Sequence, residues 1–421
     1  MSTVSSDNPG DNWAGTHHFE APRIAFASSV DDVMDLVARG GPMKALGTRH
    51  SFNDVADTAG TLIDVTALLF EPILDVDQRR VTVPAGMSFG ALGRFLEDRG
   101  WALHNLGSLP HISVAGACAT GTHGSGARNQ NLAAAVSGIE LVTGRGQRLQ
   151  LDEGDPRFPG AVVSLGALGV ATAVTLRIEP TYAVRQDVFL DLPWAELANL
   201  DTIMESAYSV SLFTRWTGVV DQVWLKSREG EGNFEPHTPG HGATPAPGNV
   251  SPVFDDHDNT TVQGGVPGPW NERLPHFRFD ETPGYGDEIQ SEYFVAREDG
   301  LRALRALEPM SGAFAPHLLT SEIRTVAADH LWLSPAFGRD SLTIHFTWKK
   351  RPDAVRKLLP SIEEALRPFG ARPHWGKWFS MYASEITTHY LRLPDFIELA
   401  RELDPDGQFR NVYLARNLGL N

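Results

Sequence analysis

Two short, strand-like runs each carry a polar pair at spacing two, Glu322 with Arg324 and His345 with Thr347. Side chains alternate along a strand, so each pair stands on one face. Set side by side, the two faces make a wall with a carboxylate, a guanidinium, an imidazole and a hydroxyl. Lys377, after the rigid Pro373-His374-Trp375-Gly376 turn, adds an ammonium. Such a wall suits a polyol, because every hydroxyl needs both a donor and an acceptor. A plainer reading stands beside this one, and on these residues alone it is the simpler. Glu322 and Arg324 would then be an ion pair on a solvated sheet, and His345 a core histidine with its hydrogen bonds satisfied.

Residues 108–126, SLPHISVAGACATGTHGSG, form a second constellation, poor in charge and rich in small residues. Small residues let the backbone approach a ligand, and successive N–H groups form concavities that bind phosphate. Gly116 to Thr122 has the spacing of a Walker loop but lacks its lysine, and no G-x-G-x-x-G opens a helix. What remains is a cradle for a pyrophosphate that is held and not cleaved, or else a tight packing corner. Residues 44–54, KALGTRHSFND, place a histidine among small polar residues directly after a short apolar strand. His17, His18, His104, His111 and His123 have no metal-ligand spacing, so no metal is expected. No G-x-S-x-G elbow supports hydrolysis.

Together the two loops resemble those of the vanillyl-alcohol oxidase family, which binds FAD without a Rossmann motif. The likeness is closest to its alditol oxidase branch. It rests on NWAG, GTRHSFN, SLPHISVAGACATGTHGSG, SLGALGV, VPGPWNERLPHF, SEIRTVAAD, HFTW and RPHWGK, which run in one order through nearly the whole chain. The resemblance implies an α+β, two-domain FAD-binding fold with a substrate cap built on an antiparallel sheet. It implies FAD bonded covalently through His50. It also implies cofactor contacts from Ala45, Leu46, Gly47, Thr48, Arg49, Ser51, Ser108, Ser113, Gly116, Thr120, Gly121, Thr122, His123, Gly169, Val170 and Ala171. The substrate set it implies is Ser108, Glu322, Arg324, His345, Thr347 and Lys377. Its activity would be oxidation of a terminal alditol hydroxyl, as in xylitol or sorbitol, with O2 reduced to H2O2. His345 is the first candidate base; Arg324 and Lys377 would stabilise developing negative charge. The rivals are an aldonolactone oxidase or dehydrogenase on the same fold, a flavin carrier without turnover, and an NADPH reductase, for which no nicotinamide phosphate site is visible. Arg49 departs from the pattern where relatives can have glycine, and arginine tolerates positive φ far less well. Its guanidinium would meet the pyrophosphate or point to solvent.

The elements that must position these residues follow from periodicity. Ser29 and Asp32 form a capping box ahead of a helix, and Ser88 caps another over 89–99. Strands are expected at 44–46, 61–65, 80–83, 136–142, 147–151 and 171–178. After Pro180 come strands at 184–190, 208–215, 219–225, 288–295, 319–326 and 342–348, with helices at 301–307 and 354–366. Residues 227–253, rich in Gly, Pro, Asn and charge, read as a long surface loop. The C-terminus reads as a helix, the turn DPDGQF and a strand-like NVYLA. The expected division is residues 1–180 for FAD, 181–372 for the substrate cap, and 373–421 returning to the FAD domain.

With 421 residues, a net charge of −16 and one cysteine, Cys118, the chain reads as a reduced cytoplasmic protein. The charge argues against nucleic acid or an anionic membrane as partner. No secretory signal or membrane span is visible, and the absence of long apolar surface runs favours a monomer.

Overall fold

The structure, a computed structural model, describes residues 4–6, 8–231, 242–253, 258–281 and 287–421. Part of the loop expected over 227–253 therefore lies outside the described residues. Of the remainder, the strand Val219–Arg228 enters it and Thr244–Pro245 pairs with the strand Ala183–Pro193.

Among the described residues, three main sheets carry the fold. The first, at the N-terminus, holds Arg23–Phe26, Thr61–Asp64 and Met43–Leu46 in parallel, with Val4–Ser6 added antiparallel. The capped helix Val30–Ala38 makes the crossover, with Ser29 and Asp32 exchanging both capping bonds. The second is an antiparallel sheet ordered Ile73–Asp75, Arg80–Pro84, Val170–Arg177, Val136–Val142, Arg148–Asp152. The fourth and fifth of these strands, expected at 136–142 and 147–151, form a hairpin around Gly144 to Gly146.

A nine-stranded antiparallel sheet follows, with Leu318–Val326 and Ser341–Lys349 as central neighbours and Glu288–Ala296 on the far side of the latter. Along Ser341–Lys349 the side chains sort cleanly. Leu342, Ile344, Phe346 and Trp348 join the main apolar core, while His345 and Thr347 line a cavity. Phe346 and Trp348 stack at 5.0 Å and meet Phe314 edge-on. The helix Pro352–Leu366 presents Val355, Leu359, Ile362 and Leu366 to that core and packs on the helix Gly300–Leu307. Burying such aromatic area is the main term that holds a sheet under its helices.

The C-terminal segment meets the first two sheets directly. Met43 N–H donates to Gln408 O (2.7 Å), and Gly144 N–H to Leu403 O (2.9 Å). The strand expected at NVYLA is instead the helix Val412–Leu418. Asn411 decides it: its Oδ1 accepts from Leu414 N–H at 3.0 Å, an N-cap bond that outweighs the strand preference of valine and tyrosine. Among the described residues, no helix is long and apolar enough to cross a membrane.

Candidate active site

The strand Met43–Leu46 delivers residues 47–51 to the wall of a cavity of about 270 Å³. The stretch after residue 107 forms an adjoining part of that wall and includes a short helix, Val114–Ala119. The two segments are laced together where Ser113 N–H donates to Thr48 Oγ1 at 2.9 Å. They also touch at Gly47, where a Cβ would collide with Ser113 Oγ. Gly169, at φ +145, likewise has no room for a side chain against Val142 O. Ala45, Leu46, Thr48, Ser51, Ser108, Gly116, Thr120, Thr122, His123 and Ala171 also line the cavity.

Gly121 and Val170 do not. Gly121 packs against Pro335, and Val170 is buried in the apolar cluster beneath the helix Val30–Ala38. His123 reaches the cavity, but its ring is engaged by protein: Nδ1 meets Gly124 O at 2.7 Å and Nε2 meets Glu292 Oε1 at 3.1 Å.

His50 is the outlier in this half. It stacks on Trp13 with centroids 5.4 Å apart, and both ring nitrogens are buried with no partner in hydrogen-bonding geometry. Such orphans are costly unless something else occupies them. Burial, then the neighbouring His111, lower its pKa to about 4, so the ring is neutral with one bare nitrogen. Arg49 adopts φ +63, the left-handed conformation its departure from glycine put in question. Its guanidinium goes neither to the cavity centre nor to open solvent; it donates to Pro9 O and lies 4.0 Å from Asp64.

The polar half of the wall comes mainly from the large sheet, which brings Glu322, Arg324, His345 and Thr347 to the same cavity, with Lys377 added from the bend after its edge strand Arg372–Pro373. Register explains the convergence: Glu322 pairs with His345, and His345 with Glu292, across three neighbouring strands. Glu292 escaped the sequence reading, yet four groups converge on it. Arg324 Nη2 donates to Oε1 at 3.1 Å, His123 Nε2 lies 3.1 Å from the same oxygen, Lys377 Nζ donates to Oε2, and His345 Nδ1 lies 3.4 Å from Oε2. Burial alone would raise the Glu292 carboxyl, but Lys377, His123 and Arg324 outweigh it and hold it well below the usual range. Glu322 is likewise held low against burial, by Arg324 and His276. Lys377 is shifted down by burial, with Glu292 opposing. Arg324 Nη1 also reaches Ser108 Oγ at 3.5 Å, tying the wall to the glycine-rich loop.

His345 can adopt two tautomers. With Nδ1 accepting from Lys377 Nζ (2.7 Å), Nε2–H donates to Thr347 Oγ1 (3.1 Å). With Nδ1–H directed at Glu292, Nε2 is bare and can accept a proton, the arrangement a general base requires.

Burial lowers both His345, helped by Lys377, and His276, helped by Lys226, from 6.5 to about 4. In the folded protein they stay neutral down to that pH, whereas in the unfolded chain they bind protons below about 6.5. This stability is full above pH 6.5 and is lost as pH falls toward 4, at about 1.4 kcal/mol per pH unit for each histidine. Tm should therefore fall between pH 7 and pH 5 in calorimetry; a Tm that holds level over that interval contradicts the assignment.

The glycine-built cradle, the unpartnered His50 ring and the polar wall share one cavity. Comparison with known proteins assigns the family. The FAD binding domain family matches residues 21–152, and the D-arabinono-1,4-lactone oxidase family matches residues 287–417. An alditol oxidase from Streptomyces sp. strain IKD472 is 46% identical over 408 residues, spanning 96% of this chain and 97% of that protein. An L-gulono-1,4-lactone dehydrogenase from Mycobacterium tuberculosis is 31% identical over 97% of this chain and 98% of its own. In fold, the crystal structure of cholesterol oxidase from Brevibacterium sterolicum superposes with a TM-score of 0.79 over 99% of this chain and 97% of its own, at 14% identity. The chain belongs to the alditol oxidase family of FAD-dependent flavoprotein oxidases.

Proposed function

We propose that the protein oxidises the terminal primary hydroxyl of alditols such as xylitol and sorbitol, R–CH2OH + O2 giving R–CHO + H2O2. The observation that carries this reading is the convergence of Glu322, Arg324, His345, Thr347 and Lys377 on the cavity that His50 also lines. FAD, when bound, supplies the two-electron acceptor that takes hydride from the substrate carbon and passes the electrons to oxygen. The protein's part is to hold the polyol and move the hydroxyl proton. Glu322 and Ser108 accept from the outer hydroxyls. His345 takes the proton at Nε2, in the tautomer whose Nδ1–H is donated to Glu292. The 3.4 Å spacing is long, as such bonds often are before substrate binds. Arg324 and Lys377 place positive charge where the alkoxide develops. Within this reading residues 1–180 and 373–421 hold the cofactor and 181–372 cap the substrate, in a cytoplasmic monomer.

A lactone-oxidising reading draws on the D-arabinono-1,4-lactone oxidase match over residues 287–417. Glu322 favours the polyol, since an open chain offers a carboxylate more donors than a lactone does. Steady-state oxygen uptake with xylitol, sorbitol and L-gulono-1,4-lactone separates them: kcat/KM highest for an alditol supports the proposal, and highest for the lactone reverses it.

The unpartnered His50 nitrogens support a covalent bond between His50 and the flavin ring. Acid precipitation should leave the yellow colour in the pellet for the unmodified protein and release it to the supernatant for His50→Ala. Colour released from both would remove the covalent assignment while leaving FAD binding intact.

A further inference from the structure

Behind the polar wall lies a buried chain of groups that the reaction as described does not use. His276 Nε2 contacts Glu322 Oε1 at 2.7 Å, and its Nδ1 contacts Lys226 Nζ at 3.1 Å. Lys226 is fully buried and also donates to Leu274 O (2.5 Å) and Pro275 O (3.0 Å), so its three N–H groups have three acceptors. It is absent from the cavity wall, whereas His276 lines it.

The proton positions follow from the partners. Glu322, beside Arg324 and ionised, can only accept, so His276 must carry its proton on Nε2 and donate it. The neutral ring then leaves Nδ1 bare, and Lys226 fills it from behind. The ring is also held edge-on by Phe213 at 5.5 Å and Trp224 at 5.0 Å. Its backbone N–H donates to Ser108 O at 3.1 Å, so the residue that aims Glu322 is anchored to the loop carrying the other hydroxyl contact.

We propose that His276, backed by Lys226, is a positioning residue that determines specificity: it fixes the Glu322 carboxylate so that its remaining lone pairs accept from adjacent hydroxyls of the substrate, selecting chains with neighbouring hydroxyls over simple alcohols. The inference rests on the alditol reading. A space-filling role would need neither a fixed tautomer nor a lysine committed to the far nitrogen.

The test compares His276→Leu with His276→Gln, whose amide retains a donor toward Glu322. Substrates are xylitol and pentane-1,5-diol, which has the same chain length and terminal hydroxyls but no interior ones; the diol is read as a substrate or as a competitive inhibitor. His276→Leu should raise KM for xylitol by about 10- to 100-fold, the range for losing a hydrogen bond to a charged group. It should change kcat by less than about threefold, the pattern of lost binding and not lost chemistry, and leave the constant for the diol nearly unchanged. His276→Gln should recover most of the KM. Equal losses for xylitol and the diol, a His276→Gln as weak as His276→Leu, or no change in KM would each overturn the proposal. Flavin content and Tm of each variant are measured alongside; if His276→Leu does not fold, His276→Gln alone decides, because a KM raised as far as the loss of the donor predicts contradicts the retained-donor argument and a near-normal KM upholds it. If the unmodified protein itself ignores xylitol, the alditol reading fails and this proposal with it, a result distinct from every variant outcome.

Discussion

Glu292→Gln should lower kcat for xylitol by about 10²- to 10³-fold, the scale of removing one preorganised electrostatic partner from an active site, with FAD content unchanged. Glu292 does not line the cavity, yet its side chain is fully buried and meets Arg324, Lys377, His123 and His345. Glutamine keeps the shape and removes the charge. It leaves two buried cations without their shared anion, a change that typically costs about 3–5 kcal/mol of stability. Arg324 and His123 hold the remaining amide oxygen, so the amide nitrogen faces His345 and no longer accepts from Nδ1–H; the proposed base then spends more of its time with Nε2 protonated. Rapid-reaction measurement of flavin reduction, with Tm recorded on the same samples, checks both effects. A reduction rate within threefold of the unmodified protein would show that Glu292 is structural alone.

Lys377→Met should reduce kcat/KM for xylitol by about 10²- to 10³-fold, again the scale of one lost donor at a developing charge. The ammonium reaches Glu292 and His345 and lines the cavity, so methionine removes the positive charge that the proposal places at the reacting hydroxyl and frees His345 Nδ1. The comparison also discriminates between classes of protein. A flavin carrier or sensor without turnover would not need this wall, and its function would survive the substitution. Equal steady-state oxygen uptake by the variant and the unmodified protein would remove Lys377 from the mechanism.

The segments legible in the sequence were those whose chemistry is local. The 44–54 and 108–126 stretches declared themselves through glycines and a flanked histidine, and the structure places both on the cavity wall. The pairs Glu322/Arg324 and His345/Thr347 were legible because alternation on a strand needs only two residues of context. The same alternation left Glu322 and Arg324 open to a plainer reading, an ion pair on a solvated sheet; in the structure both are buried and line the cavity. Glu292 and His276 were missed for a related reason. Each sits in a segment with a local expectation, a strand over 288–295 and VPGPWNERLPHF, but their partners are 30 or more residues away in sequence: Glu292 meets His345 through sheet register, and His276 reaches Glu322 from the loop after the helix Trp270–Arg273. Gly121 and Val170 show the converse: a motif assigns roles by position, while the backbone turns neighbouring residues to opposite sides. At the C-terminus a single side-chain cap from Asn411 reversed a strand expectation built on propensity alone.

Anaerobic titration of the purified protein with xylitol, followed by admission of air, tests the proposed activity most directly. The account predicts that the visible flavin absorbance bleaches on adding xylitol and returns in air with formation of H2O2. A yellow protein whose absorbance ignores xylitol and other alditols would contradict it.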